Sequence, residues 1–160
     1  MPRTAQSMSY EGMFTQMADE NVKKLIDGLN ADLAGELAAV IQYTTYSAVA
    51  SGPHRPQLVA FFQEEVADEL GHAQYLADKI TALGGTPTTR PDAVEIGNSN
   101  TDLLEGVLEA ETRAIANYTE RLSQADAVGD IGLKVQLEDI ISDETTHREE
   151  SLKMLKDLRA

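Results

Sequence analysis

Apolar positions in this chain recur at a 4-3 spacing over four long stretches. The first seam reads Val22, Ile26, Leu29, Leu33, Glu36, Val40, Tyr43, Ser47, and the second Leu58, Phe62, Glu65, Glu69, His72, Leu76. The third reads Leu104, Leu108, Glu111, Ile115, Tyr118, Leu122, and the fourth Leu133, Leu137, Ile140, Glu144, His147, Ser151, Met154. Such spacing puts each set on one face of an α-helix, and four such faces are the pattern of a helix-bundle core. The boundaries agree. Asp19 can cap the first helix, which runs to about Ser51, where Gly52-Pro53 and Pro56 interrupt it. The second spans about Pro56 to Leu83 and stops at Gly84-Gly85. Ser99-x-x-Asp102 reads as a capping pair opening the third, which ends near Val128-Gly129. Asp130 can cap the fourth, which runs to about Leu158.

Loop lengths set the topology. The first and third connections are short, so each joins an antiparallel hairpin. The middle one, Thr86 to Asn98, carries Pro87, Pro91 and Gly97 and reads as extended chain. At about 3.3 Å per residue it can run the length of a helix that rises about 1.5 Å per residue. The fold class is therefore all-α: an antiparallel four-helix bundle with a long crossover between helices two and three. Residues 1–18 lack a clear period and read as a flexible N-terminal arm, with room for a short helix near Tyr10–Met17. The bundle occupies 19–160.

Each seam is interrupted near its middle by residues a core should not hold: Glu36, then Glu69 and His72, then Glu111, then Glu144 and His147. A carboxylate in a core costs several kcal/mol unless it is protonated, paired or bound to metal. The neighbouring seam positions offer no Lys or Arg. Two divalent metals would balance the four carboxylates, with one imidazole per metal. Carboxylate-rich ligation of that kind suits iron or manganese, and zinc would also bind. Glu69-x-x-His72 and Glu144-x-x-His147 each place both ligands on one helical face. One Glu from each of two helices and Glu-x-x-His from the other two is the donor set of a bundle-core dimetal site. The set is also repeated: Glu36 to Glu111, Tyr43 to Tyr118, Glu69 to Glu144 and His72 to His147 are each 75 residues apart. A pseudo-two-fold axis between the metals follows.

Other residues admit two readings. Tyr43 and Tyr118 are either amphipathic core residues or partners of the metal ligands and electron donors. Glu65 reads as a half-exposed acid near the site or a metal inlet. Gly71 weakens its helix slightly and permits close packing. His54 lies between Pro53 and Arg55 and reads as a loop residue.

Composition narrows the function classes. The chain has 160 residues, a length that fits one domain, and no cysteine, which excludes disulfides, thiolate sites and cysteine nucleophiles. No apolar run is long enough to cross a bilayer and the N-terminus carries no secretory pattern, so a cytoplasmic location is expected. The formal charge is −14. It draws cations and repels nucleic acid and anionic membranes, so neither is expected as a partner.

The ordered motif Glu36, Glu69-Leu-Gly-His72, Glu111, Glu144-Thr-Thr-His147 resembles that of the ferritin-like superfamily, over about residues 19–158. It is most similar to bacterioferritins and small mini-ferritins. That resemblance implies two Fe per subunit, with Glu69 and Glu144 bridging, Glu36 and Glu111 terminal, and His72 and His147 on one metal each. It makes Tyr43 a catalytic-site tyrosine beside the six ligands. It implies a ferroxidase that oxidises Fe2+ with O2 or H2O2 and deposits ferric mineral inside a homo-oligomeric shell. Leu70 replaces the methionine with which bacterioferritins bind haem, so no haem is expected. Only 13 residues follow His147, too few for the fifth helix of the 24-subunit cages, so a 12-mer is favoured over a 24-mer. Ala114 stands where rubrerythrin peroxidases carry an extra Glu. A di-iron or di-manganese peroxidase or catalase without mineral storage is the alternative activity.

Overall fold

The structure is a computed structural model that describes residues 10–159. Four helices follow one another: α1 (Tyr10–Val49), α2 (Arg55–Ala82), α3 (Asn100–Val128) and α4 (Ile131–Leu158). Their ends follow from local chemistry. Gly52 adopts a left-handed φ of 72° in the turn after α1, and the Arg55 guanidinium donates to the Ser47 and Ala50 carbonyl oxygens at that helix end. Ser99 Oγ accepts from the Asp102 N–H at 3.1 Å, and the Asp102 carboxylate accepts in turn from the Asn98 N–H. Gly129, with φ 74°, closes α3. Asp130 then accepts from the Leu133 N–H at 2.9 Å and pairs with Lys79 at 2.7 Å, tying the end of α2 to the start of α4.

Three of the four helices keep the boundaries expected of them to within about two residues. The first differs at its start: α1 is unbroken from Tyr10, so Asp19 is not its cap and residues 10–18 are helical. Residues 1–9 of the expected arm lie outside the described residues.

α1 packs against α2 and α3, and α3 against α4. The crossover runs beside α1 in the same direction and is pinned to it in order. Asn30 bonds the backbone of Thr86 and Thr88, the Asp92 N–H donates to the Ala34 carbonyl, and Tyr46 Oη donates to the Glu95 carbonyl at 2.7 Å. α2 and α3 therefore begin at the same end of the bundle. Among the described residues no helix is long and apolar enough to cross a membrane.

The apolar core divides into two plugs. One gathers Leu25, Leu29, Leu76, Ile80, Leu133 and Leu137, and the other Tyr46, Leu58, Phe62, Leu103, Leu104 and Leu155. The acidic seam positions lie between them. α3 is turned slightly from its expected face: Val107, Arg121 and Ala125 are buried, while Leu108, Ile115 and Leu122 are only partly so.

Arg121 changes the charge account of the seams. Among the described residues it is the one buried Lys or Arg. Its Nε donates to Asp32 on α1 at 2.9 Å. Gly28 makes room for it, because a Cβ there would overlap the guanidinium. Burial, only partly offset by Arg121, raises the Asp32 carboxyl to about 6. The pair serves itself and leaves the neighbouring carboxylates without a cation.

Removing one member of a buried pair strands the other charge. Arg121→Met should lower stability at neutral pH by about 3–5 kcal/mol, read from urea unfolding. The double variant Asp32→Leu/Arg121→Met should recover most of that loss, because an apolar pair fills the same space without a stranded charge.

Candidate metal centre

All six seam residues meet at mid-bundle. Glu36, Glu69, Glu111 and Glu144 are 3%, 1%, 4% and 1% exposed, and His72 and His147 are buried with them. The helices bring them together by register: α1 supplies Glu36, α2 supplies Glu69 and His72, α3 supplies Glu111, and α4 supplies Glu144 and His147.

The distances divide the set into two overlapping groups. His72 Nδ1 lies 3.0 Å from Glu144 Oε1, and 3.7 Å from both Glu36 Oε2 and Glu69 Oε2. His147 Nδ1 lies 3.2 Å from Glu144 Oε2, 3.3 Å from Glu69 Oε1 and 3.7 Å from Glu111 Oε1. Glu69 and Glu144 thus each direct one oxygen to either histidine. Glu36 reaches only the His72 group and Glu111 only the His147 group. Within each group the candidate donor atoms all fall within 4.8 Å of one another.

These contacts are close without being aligned hydrogen bonds. Glu69 Oε1, both Glu144 oxygens and both His Nδ1 atoms are buried and have no hydrogen-bond partner. Buried polar atoms are normally satisfied, so five orphans converging on two points demand an explanation. Divalent cations at those points fit the donors, which are carboxylate oxygens and imidazole nitrogens with no thiolate.

Without a cation, protons must carry the compensation. Burial pushes the Glu36 carboxyl up to about 8 and raises Glu144 as well. Burial also raises Glu111, but His147, Glu144 and Tyr43 outweigh it and hold that carboxyl below its usual range. Burial opposes charge on both imidazoles, yet the adjoining carboxylates win and raise His72 and His147 above the ordinary histidine range.

The tyrosines are hydrogen-bond partners of the carboxylates, and the pairing crosses between helices. Tyr43 Oη donates to Glu111 at 2.5 Å, and Tyr118 Oη donates to Glu36. Both phenols are pushed well above their ordinary range, first by burial and then by the carboxylates. The repeat is therefore visible in space as well as in sequence. Glu65 departs from its expectation: it is buried, and its Oε2 lies 2.5 Å from His147 Nε2. Leu70 is exposed on α2, and His54 lies in the turn before that helix.

A cavity of about 510 Å3 opens on the carboxylate side, between α1, α3 and the crossover. Small residues shape it: Gly35, Ala38 and Ala39 on α1, and Gly106, Ala110 and Ala114 on α3. It reaches all four cluster carboxylates, and Asp92, Glu95 and Glu109 also line it. Sequence periodicity could not reveal this space, because alanine and glycine satisfy a helical pattern whether or not a neighbour fills the gap.

Comparison with known proteins agrees with this arrangement. The sequence profile of the ferritin-like domain (Ferritin) matches residues 26–160. A bacterioferritin from Rhodobacter capsulatus is 33% identical over 125 residues, covering 78% of each chain. A crystal structure described as a ferritin-like diiron-carboxylate protein from Bacillus anthracis superposes with a TM-score of 0.83 at 44% identity, over 92% of this chain and 99% of that one. The Desulfovibrio desulfuricans bacterioferritin, whose structure is described by its diiron site, gives 0.81 at 26% identity over 89% and 84%.

The titrations carry a sign that can be checked. Glu36, Glu144 and both histidines hold protons in the folded metal-free chain that the unfolded chain releases. Stability from Glu36 and Glu144 is lost as pH rises from about 4.5 to about 8, and that from the histidines from about 6.5 upward, so the combined loss spans about pH 5 to 8 and continues above it. Glu111 acts oppositely, but only below its ordinary 4.5. The melting temperature in EDTA should therefore fall across that window. Stabilisation by added Mn2+ or Zn2+ should grow across it, since metal ligands must be deprotonated. Thermal melts with and without metal check both slopes.

Proposed function

The chain belongs to the ferritin-like family, and on that footing we propose that it is a ferroxidase that takes Fe2+ as substrate and stores the ferric product in a homo-oligomeric shell. One observation carries the reading: Glu69 and Glu144 each turn one oxygen to either histidine, which is what a carboxylate bridging two ions must do. Glu36 and Glu111, each within reach of one group only, are the terminal ligands, and His72 and His147 complete one position each.

Iron is the substrate, and the protein residues hold and orient it. Two Fe2+ ions give up one electron each; H2O2 takes the two electrons with two protons and leaves as two waters, or O2 takes two electrons with two protons and leaves as H2O2. Tyr43 and Tyr118 fix the orientation of Glu111 and Glu36 through their hydrogen bonds. The cavity beside the carboxylates offers iron and oxidant a route, and its acidic lining attracts a cation. Ala114 in that wall adds no carboxylate, which favours ferroxidation over the rubrerythrin type of peroxidase.

The proposal has two separable parts. Apo protein mixed with Fe2+ and either oxidant should develop ferric absorbance. Glu144→Gln should slow the initial rate by more than about tenfold, with a smaller loss for Tyr43→Phe. For storage, iron should accumulate to many ions per chain inside a large particle, with subunit number read from solution mass. Uptake that stops near two ions per chain, with continued peroxide consumption, would contradict storage and indicate a turnover enzyme.

A further inference from the structure

The two halves of the centre are copies in their ligands but not in what stands behind them. The spacing of 75 residues also relates Asp68 to Asp143, and each of these acids approaches the outer nitrogen of a histidine. Asp143 Oδ2 lies 3.3 Å from His72 Nε2, and Asp68 Oδ2 lies 3.9 Å from His147 Nε2. Both acids are more than half exposed. Glu65 has no such copy. The residue 75 positions after it is Ile140, buried in the apolar plug. Glu65 itself is buried, and its carboxylate sits 2.5 Å from His147 Nε2.

We propose that Glu65 is a positioning residue for His147, and that it makes the Glu111–His147 position bind a divalent cation ahead of, and more tightly than, the Glu36–His72 position. The inference rests on reading the centre as a two-metal site.

Both histidines turn Nδ1 toward the cluster carboxylates. A neutral imidazole that offers the Nδ1 lone pair to a metal keeps its proton on Nε2. For His147 that proton faces a buried carboxylate at short range, where solvent competes little for it. The contact fixes the tautomer, holds the ring angle and increases the electron density available at Nδ1. For His72 the same proton is hydrogen-bonded to Asp143 at 3.3 Å, but that carboxylate is more than half exposed, so water shares the interaction and screens it. Outer partners of metal-bound histidines are worth about 10–100-fold in affinity. The difference between a buried and an exposed partner then separates two positions that the repeat makes otherwise alike. Asp32, near the Glu36 half, does not restore the balance, because Arg121 neutralises it. Glu65 also needs this role on its own account: a buried carboxylate without a polar partner is costly, and His147 Nε2 is the group it approaches.

The test is titration of the apo full-length chain with Mn2+ or Zn2+ by calorimetry. The wild type should show two unequal sites per chain. Glu65→Gln should weaken the tighter site by about 10–100-fold and leave the other within about threefold, while Asp143→Asn should change the weaker site by less than about threefold. A wild-type experiment needs no variant to fold: with one equivalent of Zn2+, the 15N signals of His147 should shift before those of His72. Equal sites, first shifts at His72, or a Glu65→Gln chain with unaltered affinities would overturn the inference and leave the two-metal reading standing. Three ions per chain, falling to two in Glu65→Gln, would overturn it by making Glu65 a ligand of a separate ion. A wild type that binds neither metal would overturn both.

Discussion

Four carboxylates buried together between two apolar plugs cannot all be charged without a cation among them. Each alone would cost several kcal/mol, and the nearest buried guanidinium, Arg121, is already matched to Asp32. The rest of the molecule follows from that demand. The metal-free chain meets it with protons, on Glu36 and on the imidazoles. A pair of divalent ions meets it with the same oxygens and nitrogens, and would satisfy the five polar atoms that otherwise have no partner. The helices supply rigidity for this arrangement, and the leucine-rich plugs above and below keep bulk water from competing along the bundle axis.

The crossover matters to the site as much as the helices do. Because it climbs beside α1, it reverses the sense in which the second hairpin enters and brings the repeated ligands face to face. The antiparallel register of α1 and α3 then makes each tyrosine serve the other helix's glutamate. The same segment walls the cavity that reaches the carboxylates and leaves the centre open on that side. A duplicated hairpin thus yields a centre that repeats its candidate ligands and differs in their outer contacts.

Much of this was legible in the sequence, for identifiable reasons. The six candidate ligands stood out because Glu and His break an apolar seam, and a repeat at fixed spacing marks a shared role. Helix ends at Ser99, Gly129 and Asp130 were legible because capping is local chemistry. What escaped was what depends on another helix. Asp32 and Arg121 each look like an ordinary surface charge on their own helix, and only the α1–α3 register makes them a buried pair. A short helix near Tyr10–Met17 was legible, but its continuity with the first bundle helix was not, because Asp19 offers a capping side chain that the unbroken α1 does not use. Glu65 was seen as an acid near the site, but not its burial, because nothing along α2 states what α4 brings opposite it. The partners of Tyr43 and Tyr118 were open in the sequence for the same reason.

The central claim is that the converging donors hold two ions. Anomalous diffraction from crystals of the chain grown with Mn2+ tests it without dependence on turnover or on the fate of iron. The account predicts two peaks per chain, one within bonding distance of Glu36 and His72, the other of Glu111 and His147, with Glu69 and Glu144 reaching both. Mn2+ confined to surface carboxylates, with mid-bundle left to protonated histidines and carboxyls, would contradict it.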